Sequence, residues 1–99
     1  MTLEPAPPIH PGAVLRQDYM QPRELSSNAL AAHLGVTPTR INEIVREKRG
    51  ITADTALRLA ACFATTPEFW MDLQKKFELE VAQRTVGEKD RLVVSPLKD

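Results

Sequence analysis

Between residues 39 and 49 the chain gathers Thr39, Arg40, Asn42, Glu43 and Arg46, with Lys48 and Arg49 directly after them. These side chains share one competence, directed hydrogen bonding to flat polar edges and to anions. An arginine can fork onto guanine and an asparagine onto adenine, a glutamate can accept from cytosine, and a threonine can touch the thymine methyl. Ile41, Ile44 and Val45 are interleaved among them at helical spacing. A step of about 100° per residue then puts Thr39, Glu43 and Arg46 on the arc opposite the apolar residues, with Arg40 and Asn42 at its flanks. The five are candidate base-edge contacts. Glu43 and Glu47 suit a solvated polar face equally well, and Glu43 could pair with Arg46 three residues on. Ser26, Ser27 and Asn28 open an earlier helix, whose free N–H groups and positive dipole end favour an anion. With Lys48 and Arg49 they are candidate phosphate contacts, which position without reading sequence.

No comparable set exists for making or breaking bonds. His10, His33 and Cys62 are the only histidines and cysteine, and none lies three or four residues from another, so no helix-borne metal pair forms. Ser26 and Ser27 suit helix caps rather than nucleophiles, and no glycine-rich phosphate loop occurs. The expectation is a binding protein without catalytic residue, metal or cofactor. A single cysteine excludes an intramolecular disulfide and suits a reducing cytoplasm. No run reaches the ~18 consecutive apolar residues of a membrane span, so no membrane partner is expected. The start MTLEPAPPIHP lacks the basic and apolar regions of a secretory signal. The 99 residues, with 13 Lys and Arg against 13 Asp and Glu, make one domain of zero net charge. Nucleic acid would therefore be engaged by local arrangement, not bulk charge. Residues 40–49 hold four cations against two carboxylates, and residues 68–80 four carboxylates against two lysines. With so few phosphates neutralised per chain, a monomer should bind duplex weakly, and two copies on one duplex should roughly double the salt slope.

Prolines and glycines mark the elements that must position these groups. Pro5, Pro7, Pro8 and Pro11 crowd the start, which predicts a flexible arm over 1–9 and a first helix over about 11–20, opened by Pro11 and stopped by Pro22. Ser26 is the expected N-cap of a second helix that Gly35 ends in the left-handed conformation. Thr37-Pro38 starts a third, closed by Lys48-Arg49-Gly50; Thr52 caps a fourth; Thr66-Pro67-Glu68 opens a fifth over about 67–83. Residues 85–99 read as a tail, with some strand character at 91–95. The result is an all-α domain of five short helices over 10–84. Phe69, Trp70, Leu73 and Phe77 suit core packing better than ligand stacking. Met71, Phe77, Val81, Leu92 and Val93 exceed the needs of one small core, and are the candidate surface for a homodimer.

Residues 27–46 meet the demands of a helix-turn-helix. Ala31 is small where the two helices touch, and Gly35 serves the turn. Leu30, Leu34 and Val36 flank it, and Ile41 and Ile44 pin the second helix. Beyond this unit, four boxes occur in order: His10-Pro11-Gly12 with Val14-Leu15; Arg40-Ile41-Asn42-Glu43-Ile44 with Lys48-Arg49-Gly50-Ile51-Thr52; Asp54-Thr55-Ala56-Leu57-Arg58-Leu59; and Glu68-Phe69-Trp70-Met71-Asp72-Leu73-Gln74. Over about residues 9–82 the chain thereby resembles the HigA antitoxins, the VapI-type branch of the Xre helix-turn-helix family. The resemblance implies a λ-repressor-like five-helix domain, a homodimer, and DNA-binding autorepression of an operon. It also implies direct neutralisation of a HigB toxin, a RelE-like mRNA-cleaving protein encoded beside it. A stand-alone Xre-type repressor without a toxin partner is the alternative.

Overall fold

The computed structural model describes residues 6–85 and 95–97, and the polar and apolar punctuation of the sequence is visible in it as five helices. The first, α1, opens as Pro11–Val14, widens into a π-helical stretch Leu15–Met20, and closes in a 3-10 turn Gln21–Arg23. It therefore runs beyond the expected stop. The widened turn, in which the Gln21 N–H donates to the Arg16 carbonyl, carries the chain to Pro22, whose missing N–H falls in the first turn of the 3-10 segment. His10, placed next to the arm by its sequence neighbours, is buried and caps α1: its Nδ1 accepts from the Gly12 N–H at 2.8 Å.

Four further helices follow: α2 (Ser27–Leu34), α3 (Pro38–Val45), α4 (Ala53–Phe63) and α5 (Pro67–Thr85). Ser26, Thr37 and Thr66 act as the expected caps, each hydroxyl accepting from the N–H three residues on. Thr52 stands at the cap position of α4 but its side chain does not cap the helix. The other correction concerns the end of α3. It stops at Val45, and the left-handed residue is Glu47 (φ 63°), not Gly50. Gly50 serves packing instead: a Cβ there would lie 2.8 Å from the carboxamide of Gln74, whose Oε1 accepts the Ile51 N–H at 2.8 Å.

The inward stripes converge on one core. Leu15, Leu30, Ala31, Ile41, Ile44, Ala56, Leu59 and Trp70 have no exposed surface. At ~25 cal/mol per Å² of apolar area removed from water, such residues supply most of the folding drive. The Trp70 indole N–H, which burial would otherwise leave unpaired, donates to Thr65 Oγ1 at 2.8 Å. Tyr19 stacks at 5.0–6.1 Å from Phe63, Phe69 and Trp70, tying α1 to α4 and α5. Ala6–Ile9 has no regular structure and is tied to α5 by Arg84, which donates to the Ala6 carbonyl. Residues 95–97 have no regular structure, and the strand-like residues 91–94 lie outside the described residues.

Candidate nucleic-acid interface

The turn between α2 and α3 is fixed by backbone chemistry. Gly35 adopts φ 72°; its N–H donates to Ala32 and the Val36 N–H to Ala31. That is a Schellman closure, the arrangement in which glycine costs least. Thr37 then caps α3 through the Arg40 N–H, with Pro38 at the first helical position. The far end of α3 closes in the same way on Glu47: its N–H donates to Ile44, and that of Lys48 to Glu43. From α1, the Arg16 guanidinium donates to the Val45 carbonyl and lies 3.6 Å from Glu47. Gly12 packs so tightly that a Cβ would meet the Ile44 carbonyl oxygen at 1.8 Å. α3 is thus held at both ends and from behind, and only its outer face is open.

That face carries the five candidate base contacts. Thr39, Asn42 and Arg46 are exposed, Arg40 and Glu43 half-buried. The half-buried pair is tied down. Arg40 Nη1 donates to Asp54 Oδ2 at 2.7 Å, and Arg49 Nη2 to Glu43 Oε1 at 2.7 Å. Glu43 therefore pairs with Arg49 across the Glu47 turn rather than with Arg46 along the helix. Among the described residues Arg46 and Lys48 enter no ion pair. Of the candidate phosphate contacts, Ser26, Asn28, Lys48 and Arg49 are exposed and Ser27 is half-buried. The Ser26 oxygen accepts the Ala29 N–H at 3.1 Å, which leaves its hydroxyl proton available to an anion.

Two residues outside the predicted set complete the region. Asp54 Oδ2 also accepts from Arg58 Nε at 3.0 Å, and Arg58 Nη1 donates to the Leu34 carbonyl at the end of α2. Hydrogen bonds from Arg58 and then Arg40 hold the Asp54 carboxyl below its ordinary range. The four-residue spacing of Asp54 and Arg58 is visible in the sequence. Their meeting with Arg40 needs the turn after Val45 to bring the start of α4 beside the first turn of α3.

The candidate dimer residues with described positions lie on α5. Met71 and Val81 are exposed on α5, and Phe77 is half-buried, its ring edge-on to His10 at 4.8 Å. Leu92 and Val93 lie outside the described residues.

Residues 17–70, which hold this capped helix and its partner across the glycine turn, match the helix-turn-helix family model. The chain belongs to the helix-turn-helix family. Proteins of this DNA-binding, non-enzymatic kind include the HigA antitoxins. Virulence-associated protein I of Dichelobacter nodosus is 53% identical over 78 residues, covering 79% of this chain and 72% of the relative. Among solved structures, the Pseudomonas aeruginosa antitoxin HigA with the higBA promoter is 42% identical at a TM-score of 0.86, over 92% of this chain and 99% of that one. The antitoxin GraA in complex with its operator is 40% identical at a TM-score of 0.87, over 100% of both chains. The expected all-α, five-helix domain is the observed one, and the helix-turn-helix match includes the whole α2–α3 unit. Among the described residues no helix is long and apolar enough to cross a membrane.

Proposed function

We propose that this helix-turn-helix protein is the antitoxin of a two-component module, repressing its own operon and neutralising a HigB-like toxin by direct binding. The observation that carries this is the end-to-end likeness to an antitoxin solved on its operator, in a chain whose α3 offers an open polar face. In this reading α3 enters the major groove of double-stranded operator DNA. Thr39, Arg40, Asn42, Glu43 and Arg46 address base edges, and Ser26, Ser27, Asn28, Lys48 and Arg49 grip the backbone on either side. Two copies bind a two-fold symmetric site with half-sites ~34–36 Å apart, one helical turn. Repression is occupancy of a promoter in the cytoplasm and uses no catalytic group.

A nucleotide-resolution footprint on the DNA upstream of its own gene, with co-purification against the product of the adjacent reading frame, tests both halves. Protection of a two-fold site together with a stable complex supports the proposal. Protection without a neighbouring toxin product reduces it to a stand-alone repressor. No protection overturns it.

A further inference from the structure

We propose that Asp54, at the start of α4, is a positioning residue for base recognition: it holds the Arg40 guanidinium at one angle and thereby sets the specificity of the base pair that Arg40 meets. This rests on the proposed reading of α3 as the groove-entering helix.

Arg40 is the third residue of α3, in the turn nearest the helix N-terminus. A free arginine there would sample many rotamers, and a contact to guanine needs two N–H groups aimed in one plane. The structure removes that freedom with one carboxylate oxygen. Asp54 Oδ2 accepts from Arg40 Nη1 at 2.7 Å and from Arg58 Nε at 3.0 Å. Asp54 cannot swing away freely, because Arg58 is anchored in turn, its Nη1 on the Leu34 carbonyl at 2.7 Å. The chain of contacts therefore runs from the end of α2, through α4, to the reading face of α3. Arg49, which lines the same shallow cleft as Arg40 and Asp54, is engaged by Glu43 at 2.7 Å. One of the five guanidinium N–H groups of Arg40 is spent on Asp54, and the rest remain for a ligand. Charge alone argues against an aspartate here. Beside a phosphate backbone its carboxylate repels the duplex, whatever the sequence. A residue that weakens binding to every sequence while orienting one reading arginine acts as a specificity device.

Base preference can be measured without knowing the operator, by selection from duplexes randomised over a stretch of about two helical turns. The proteins compared are the unaltered chain, Arg40→Ala, Asp54→Ala and Asp54→Asn. Circular dichroism melts confirm that each is folded. Arg40→Ala marks its base pair by flattening the preference at one position of the half-site. Asp54→Ala is expected to flatten the same position by about tenfold, within the range for one bidentate contact, while binding to non-selected DNA tightens. Asp54→Asn keeps an acceptor oxygen and the side-chain volume, and should restore most of the preference. If the alanine variant fails to fold, Asp54→Ser, whose hydroxyl is too short to reach the Arg40 guanidinium, takes its place with the same flattening expected. A purely structural or electrostatic role predicts otherwise: every sequence bound more tightly by one factor, with preference at the Arg40 position unchanged in both Asp54 variants. That result overturns the positioning role while leaving α3 as the reading helix. If Arg40→Ala itself flattens no position, the base-reading role of Arg40 falls, and the role of Asp54 with it.

Discussion

The surfaces around α3 and along α5 are built on different principles. Around α3 the surface groups are short and tied: Arg40–Asp54, Arg49–Glu43 and Arg58–Asp54 meet at 2.7–3.0 Å, and both helix ends close through backbone hydrogen bonds. Along α5 the pairs are loose, Lys75–Asp72 and Lys76–Glu80 both at 4.0 Å between side chains mostly in solvent, and such pairs contribute little. Apolar groups are exposed there instead. Ile9 keeps 64% of its surface and Leu79 55%. A groove of about 900 Å³ lies between the arm and α5, with Val14, Leu73 and Phe77 in its lining. Reading bases needs donors held at fixed angles, and that calls for a polar surface on a rigid backbone. Meeting another protein chain needs apolar area, and the α5 surface has it to spare. The domain assigns the two tasks to different helices around one core.

The contact between α1 and α3 should give the largest effect. Gly12 lies on α1 with no room for a side chain, since its Cβ would meet the Ile44 carbonyl of α3 at 1.8 Å. Backbone must move to admit even a methyl group. Gly12→Ala should cost about 3 kcal/mol or more, read as a large drop in the thermal midpoint together with lost operator binding. A midpoint near that of the unaltered chain would show that α1 and α3 part without cost.

On α5, Val81→Asp places a charge in the exposed apolar surface proposed for the dimer. Val81 keeps 39% of its surface, so the fold should survive. It probes this surface more cleanly than a change at Phe77, whose ring packs on His10 within the same chain. The expected result is a monomer by sedimentation, and a salt slope about half that of the dimer. A Val81→Asp dimer that binds its operator fully would move the interface elsewhere.

On α3, Arg46→Ala should weaken operator binding by ~1–3 kcal/mol and leave the melting point nearly unchanged, because Arg46 is exposed and unpaired among the described residues. Equal affinity for the operator would remove Arg46 from the reading face. Lys48→Ala should lower affinity for all sequences alike, and flatten the salt slope by about one unit.

Most of this architecture was legible in the residues. Ser26, Thr37 and Thr66 announce helix starts because a hydroxyl before a helical run has one obvious partner. Gly35 announces a left-handed end because glycine pays least for it. The illegible ends are those where other residues take that conformation: Glu24, Glu47 and Ala64 all have positive φ. Tertiary packing imposes it on side chains that show no preference for it, so Gly50 drew attention that belonged to Glu47. The site divides in the same way. The outward arc of α3 follows from helical periodicity alone. The ties of Arg40 and Glu43 follow from how the chain folds back after Val45, and no local spacing reveals them.

Acid should act through the cap of α1. His10 caps α1 as a neutral imidazole, its Nδ1 accepting from Gly12, and it packs on Phe77. Burial lowers its pKa, Arg16 adds to the lowering, and Glu47 opposes it. A histidine with a lowered folded pKa binds a proton more readily when unfolded. Stability is therefore full above the ordinary histidine value of ~6.5 and falls as the pH drops below it, levelling off once the folded form also protonates. Thermal midpoints from pH 8 to 5 should show this decline, and His10→Ala, which loses the cap at a cost of ~1 kcal/mol, should remove this part of it. An unchanged decline in His10→Ala would assign it to other groups.

Ala64 offers the smallest effect and a gain. It joins α4 to α5 at φ 56°, with the Thr65 N–H donating to the Ala60 carbonyl, the same closure that Gly35 makes after α2. An alanine held left-handed carries a steric cost that glycine avoids, partly offset by the greater freedom glycine brings to the unfolded chain. Ala64→Gly should therefore stabilise the fold by about 0.5–1 kcal/mol, a rise of several degrees in the midpoint for a chain of this size. Because Ala64 is exposed and lies at the turn into α5, away from the α3 reading face, operator affinity at saturating dimer should not change. A gain in stability with unchanged base preference would sharpen the separation of the two surfaces. A shift in base preference from this turn would break it, by showing that the seating of α4 and α5 reaches α3, through Asp54 at the other end of α4 or through the Gln74–Ile51 hydrogen bond.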